Sequence, residues 1–222
     1  MTMEHVQATK KIAGPHQHQP VLAAGESLAR AKAAMIMLHG RGASAEDILS
    51  LASELNQPGF LYLAPQAAGY SWYANSFLAP LASNEPGISS GLAVIAALIE
   101  HLADAGISPE STILLGFSQG ACLSLEFATR NARRYGGVTG LSGGLIGPDG
   151  TKWNYPGSFQ GTPIFLGCSE RDMHIPQERV QLSAQVLQQQ GGSVTVRLYP
   201  HMGHTINEDE LETVRAMMAS LL

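Results

Sequence analysis

The sequence predicts an α/β fold: one mainly parallel sheet with helices on both faces. Three observations carry this reading. Short apolar runs of strand length alternate with longer segments of helical periodicity, the order expected of β-α-β units. The chain has 222 residues, which suits one large domain. Hydrophobic residues make up 45% of it and charged residues 14%, so there is ample material for a core.

Residues 1–20 contain GPHQHQP and show no periodicity, which predicts an irregular or edge-strand start. AAMIMLHG, at 33–40, is an apolar run ending at glycine and reads as a buried strand. SAEDILSLASELN, at 44–56, has a Ser cap, acids in its first turn and an apolar face, so a helix is expected. FLYLAP, at 60–65, is a second strand, followed by a polar-aromatic loop to about residue 86. A helix is expected over 88–106, stopped by Gly106. STILLGF (111–117) reads as a strand and residues 119–134 as a helix. GGVTGLS (136–142) is a strand, and a loop rich in Gly, Pro and aromatics runs on to residue 162. PIFLGCS (163–169) is a strand, 176–192 a helix, SVTVRLYP (193–200) a strand and 206–222 a closing helix. No internal repeat or linker interrupts the pattern, so a single domain over 1–222 is expected.

Bulk chemistry narrows the function classes. A net charge of −5 spread along the chain argues against nucleic acid and gives no pull toward anionic membranes. No apolar run near the start has the form of a signal peptide, and no apolar stretch reaches spanning length, so a cytoplasmic protein without membrane insertion is expected. Cys122 and Cys168 lie in apolar stretches and read as buried reduced thiols.

In sheets of this kind functional groups gather beyond the carboxyl ends of the strands. The segments there are HGRG, APQAAGYSWY, SQG, SGG, SERD and HMGH. Two of them complete a G-x-S-x-G pattern, GFSQG at 116–120 and GLSGG at 140–144. A nucleophile elbow needs a strand before the serine, a helix after it and small flanking residues. Ser118 meets all three conditions. Ser142 has the strand and the glycines, but LIGPDGTKWNYPG cannot start a helix, so Ser142 is expected to turn the chain at the rim of the same pocket.

A serine nucleophile needs a base, and the base an acid to orient it. GCSERDMHIP offers Glu170 and Asp172, and YPHMGHTI offers His201 and His204, in the order serine, acid, histidine. Asp172 is nearer the next helix, and Glu170 nearer the strand end. His204 follows Gly203, where a Gly-His turn can swing the ring toward the serine; His201 follows a proline, and His174 is a third candidate. The oxyanion of an acyl intermediate would need backbone N–H donors. Gln119, opening a helix after the nucleophile, and Arg41, in LHGRGAS, are the expected pair. Aromatic and apolar residues in loops 66–86 and 143–162, with Trp72, Tyr73, Phe77 and Leu145 foremost, predict an acyl or aryl pocket bordered by Ser142. Neither loop is long enough for a full cap domain.

At LHGRG, GFSQGA, the D-x-x-[IV]-P segment DMHIP and GHTI, the chain resembles the phospholipase/carboxylesterase family of α/β-hydrolases, which includes acyl-protein thioesterases and small bacterial esterases. These pieces run in the family order from residue 38 to 206. The resemblance implies an α/β-hydrolase fold and hydrolysis of a small-molecule ester or thioester through an acyl-serine, with no metal or cofactor. It implies Ser118, Asp172 and His204 as the triad, favouring Asp172 over Glu170 and His204 over His201, with Arg41 and Gln119 as oxyanion donors. Ser169 stands where the family often has glycine, Arg41 fills the gap of the HGxG loop, and YSWYANSF matches only loosely; these departures leave the substrate open. Two other readings are a non-catalytic ligand-binding protein on this scaffold and a metal hydrolase using His174, His201, His204 and Asp172, whose spacing matches no strong metal motif. The oligomeric state is open, a homodimer being one option.

Overall fold

The computed structural model describes residues 14–222. Most of the irregular start expected at 1–20 therefore lies outside the described residues. Strands β1 (Val21–Gly25), β2 (Ala33–Leu38), β3 (Phe60–Pro65), β4 (Thr112–Phe117), β5 (Gly137–Leu141), β6 (Pro163–Ser169) and β7 (Ser193–Tyr199) form one sheet in the order β1-β3-β2-β4-β5-β6-β7. All neighbours are parallel except β1, which runs antiparallel along β3. VLAAG, the β1 sequence, was not expected as a strand. It is a short edge element, and its apolar run follows the aperiodic GPHQHQP segment without a turn signal of its own.

Helices cover both faces because the central strands are apolar on both. In β2, Ala34, Ile36 and Leu38 join one core, while Ala33, Met35 and Met37 join the other. The first core takes Ile95, Leu98 and Leu102 from α3 (Gly87–Asp104), Leu123 and Phe127 from α4 (Gln119–Arg130), and Val180 and Leu187 from α5 (Gln177–Gln189). The second takes Ile48 and Leu49 from α1 (Ala45–Leu49), Leu55 from α2 (Leu51–Leu55), and Val214 and Met218 from α6 (Glu208–Ala219). Each such side chain contributes about 1.5–3 kcal/mol by leaving water. Helix α3 is long and apolar enough to cross a membrane by composition, but here its apolar residues pack on the sheet.

The expected helices differ from the observed ones in extent, two of them for identifiable reasons. The segment 44–56 starts as read, with a capping box between Ser44 and Asp47, but breaks into α1 and α2 at Ser50. The Ser50 hydroxyl donates to Asp47 O at 2.7 Å, a side-chain bond that competes with the helical ladder. The helix after the elbow ends at Arg130 rather than 134, where the Asn131 amide donates to Phe127 O at 2.9 Å. At the start of α6, Asn207 and Glu210 form a second capping box. Glu210 is fully buried; Oε2 accepts from the Asn207 amide at 2.9 Å, and Oε1 has no partner. Oε1 lies over Gly167 of β6, where a Cβ would come within 2.1 Å of it.

Candidate active site

The site is built on the loops that leave β2, β3, β4, β6 and β7 at their carboxyl ends. Ser118 sits between β4 and α4 with φ 54° and ψ −117°, a strained conformation for a residue with a side chain. Two close backbone approaches make that turn possible. A Cβ on Gly116 would lie 2.3 Å from Gly120 O, and one on Gly120 would lie 2.2 Å from Leu38 O. Both glycines of GFSQG are therefore steric requirements. The turn is tied down by Ser118 N–H to Leu141 O at 2.9 Å and Cys122 N–H to Ser118 O at 3.0 Å.

Asp172 lies in the loop after β6, its side chain wholly inaccessible. The loop wraps its carboxylate: Oδ1 accepts from the amides of His174 at 2.8 Å and Ile175 at 3.1 Å. Oδ2 accepts from His204 Nδ1 at 2.7 Å. Burial on its own would raise the Asp172 pKa, but the bonds from His204 and the two amides outweigh it and hold the carboxyl below its ordinary value. With Nδ1 donating to Asp172, His204 Nε2 is left to accept from the Ser118 hydroxyl, 2.8 Å away. The ring is held between Phe117 and His174, with centroid separations of 5.0 and 4.9 Å. Ser169 donates its hydroxyl to Met202 O and so joins the acid loop to the histidine loop. Glu170 and His201 are exposed, and among the described residues neither bonds to this chain of groups.

The amide of Gln119 is the first in α4 and has no intrahelical acceptor by helix geometry. The HGRG loop runs close by: a Cβ on Gly40 would lie 3.4 Å from Ser118 Cβ. The side chains of the two expected donors do something the sequence did not suggest. Gln119 Oε1 accepts from the Trp72 amide at 2.8 Å and Nε2 donates to Tyr73 O at 2.7 Å. Arg41 donates to Ala74 O at 2.8 Å and Asn75 O at 2.6 Å. Two buried histidines complete the hold on this loop. His39 Nδ1 donates to Gly40 O at 2.8 Å, and Nε2 accepts from Ala67 N–H at 3.1 Å. His16 Nε2 donates to Trp72 O at 2.8 Å, and Nδ1 accepts from Ala68 N–H at 3.1 Å. Burial lowers the pKa of both rings and favours the neutral form these bonds require. His39 stands within the LHGRG motif, whose signal in the sequence is its glycine backbone, and His16 lies in a stretch with no periodic signal.

The sequence profile of the phospholipase/carboxylesterase family matches residues 20–222, nearly all of the described chain. The chain belongs to this family. The crystal structure of a phospholipase/carboxylesterase from Dyadobacter fermentans DSM 18053 matches it with a TM-score of 0.88 at 41% identity, covering 93% of this chain and 99% of that one. Acyl-protein thioesterase 1 of Emericella nidulans is 29% identical, over 86% of this chain and 91% of its own length. Acyl-protein thioesterase 1 of Gibberella zeae is 36% identical over 129 residues; the chain spans about half of that relative, 54%. The fold is accordingly the α/β-hydrolase fold, and the family is one of hydrolases that act on carboxylic esters or thioesters.

Beside Ser118 this family member has a cavity of about 420 Å³. Tyr73 and Phe77 line it, as the sequence suggested, together with Arg41, Gln119, His174 and Ile175. Trp72, Ser142 and Leu145 do not. Trp72 is fully buried, its indole donating to His39 O at 2.9 Å, so it anchors the loop from below. Ser142 is fully buried at the end of β5 with φ 51°, its amide bonded to Gly167 O at 2.7 Å and its hydroxyl without a partner. Leu145 is drawn onto α5: its amide donates to the Ser183 hydroxyl at 2.9 Å, and its carbonyl accepts from Arg179 at 3.0 Å. Arg179, only 3% exposed, also binds Gly147 O at 2.6 Å, so the 143–162 loop is fastened away from the cavity. A buried arginine inside this helix gives no warning of this in the sequence. Trp153 and Tyr155 border a separate surface groove instead.

Proposed function

We propose that Ser118, His204 and Asp172 are the catalytic triad of a serine hydrolase that cleaves small carboxylic esters or thioesters through an acyl-serine intermediate. The observation that carries the reading is the unbroken series Ser118 Oγ–His204 Nε2–Nδ1–Asp172 Oδ2, with links of 2.8 and 2.7 Å. His204 takes the Ser118 proton as Oγ attacks the acyl carbon. Asp172 keeps the ring in the tautomer that can accept it and stabilises the imidazolium that forms. The amides of Gln119 and Arg41 receive the oxyanion. Collapse expels the alcohol or thiol, which takes the proton back from His204. Water, deprotonated by the same ring, then releases the acid. No step calls for a metal or cofactor, and the small cavity suits short acyl groups. We place the enzyme in the cytoplasm, where its buried free cysteines Cys122 and Cys168 stay reduced.

The test is Ser118→Ala, assayed on p-nitrophenyl acetate and butyrate. Turnover is expected to fall at least ~10³-fold with the circular dichroism spectrum unchanged. A fluorophosphonate probe should label the parent protein and not the variant. Parent-like turnover in a folded Ser118→Ala protein overturns the assignment.

A further inference from the structure

We infer that the cavity beside Ser118 selects substrates carrying an anionic group, a carboxylate or phosphate, near the scissile ester or thioester. The inference rests on the hydrolase reading of the same site. Acidic residues outnumber basic ones in the chain, 18 to 13, yet none of the acids lines this cavity. Arg41 does, with its side chain exposed. Its partners there are two neutral carbonyl oxygens, Ala74 O and Asn75 O. These orient the guanidinium and leave its charge uncompensated. Two of its five N–H groups are used, so three remain for a ligand. Of the two acids nearest to it in sequence, Glu46 and Asp47, neither lines the cavity, and Asp47 is occupied in the Ser44 capping box. Asp172 is inaccessible and faces His204.

Two further groups reinforce this bias. His174 enters from the acid loop, packs its ring on His204 and makes no side-chain hydrogen bond among the described residues. Behind the wall, the buried Arg179 guanidinium lies 5.8 Å from the centroid of the cavity-lining Phe77 ring. Its acid partner, Asp149, is fully in solvent, where screening weakens the opposing field. A cation set in a low-dielectric wall acts on a bound ligand far more than the same charge in water. With the buried Glu126 paired to Arg130 at 2.8 Å and Asp172 to His204, Arg41 and Arg179 leave the cleft locally positive on a negative molecule.

The experiment compares matched ester pairs that differ by one charge. For the acyl side the pair is mono-4-nitrophenyl adipate and its methyl ester; for the leaving group it is 4-acetoxybenzoate and its methyl ester. In at least one pair the anion is expected to show a roughly tenfold higher kcat/KM at low salt, equivalent to about 1.4 kcal/mol. Arg41→Gln should bring that ratio to near one. A loosened loop would lower both members of a pair together, so the ratio isolates the charge. In the parent protein the ratio should shrink as salt rises, a readout that does not depend on the variant folding. No preference in either pair, a preference that survives Arg41→Gln, or one indifferent to salt overturns the inference. If the parent protein cleaves no member of either pair, it is the hydrolase reading that falls instead.

Discussion

The amide of Trp72 donates to the side-chain oxygen of Gln119 at 2.8 Å, joining the loop after β3 to the first residue of α4. Gln119 also supplies the donor for the other half of the contact, its Nε2 donating to Tyr73 O. The residue beside the proposed nucleophile therefore fixes one wall of the cavity. Gln119→Leu strands the buried Trp72 N–H, at a cost of about 1–3 kcal/mol, and leaves Tyr73 O with the Ser71 hydroxyl alone. The variant should unfold at a markedly lower urea concentration and lose activity on short esters. An unchanged midpoint would show that the clamp does not hold the loop.

Asp172→Asn keeps the size of the side chain but removes the charge that fixes the His204 tautomer. A fall in kcat of ~10³–10⁴ is expected, with KM moved little. Glu170→Gln, at an exposed position outside the hydrogen-bonded series, should stay within about twofold of the parent. Equal losses from the two variants would sink the choice of acid.

Glu210 predicts a pH dependence of stability. Burial, first, and the neighbouring Asp209 push its carboxyl up to about 7, against a partial pull downward from the Asn207 amide. Its folded pKa thus lies above its unfolded one, near 4.5. Between these values the folded state holds more protons than the unfolded state, so stability falls as pH rises through that window. Glu210→Gln removes the term. Its stability relative to the parent should rise by about 1–3 kcal/mol from pH 5 to pH 8 in urea titrations. A difference that is flat with pH would refute the argument.

Ser142→Ala separates the two G-x-S-x-G serines. The hydroxyl is buried without a partner, so its removal leaves no group unsatisfied. Ester turnover should remain within about twofold of the parent and stability within about 1 kcal/mol. A collapse of activity comparable to that of Ser118→Ala would place Ser142 in the chemistry.

The sheet and its helices were legible because β2 to β6 are largely apolar runs and β7 alternates polar and apolar residues, all separated by segments of helical period, and those signals are local. β1 escaped because five residues on a sheet edge carry too little pattern. The proposed triad was legible through order and position: each member follows a strand, and each strand ends at the same rim. The cavity wall was not. Trp72 and Leu145 have the composition of pocket residues, but their placement depends on polar side chains distant in sequence, Gln119 and His39 for one, Arg179 and Ser183 for the other. Such buried hydrogen bonds leave no periodic trace. The two serines differ for a similar reason. Both adopt positive φ between glycines, and what separates them is the helix that only Ser118 begins.

Ser118 rises from β4, in the middle of the sheet, whereas His204 follows β7, an edge strand that among the described residues is bonded on one side only. The nucleophile and the proposed base are therefore anchored with unequal firmness. Heat or denaturant frays a margin before it reaches a centre. Turnover should fail while most of the sheet is still intact, so the working lifetime of the catalyst is set by how long one border strand stays in place.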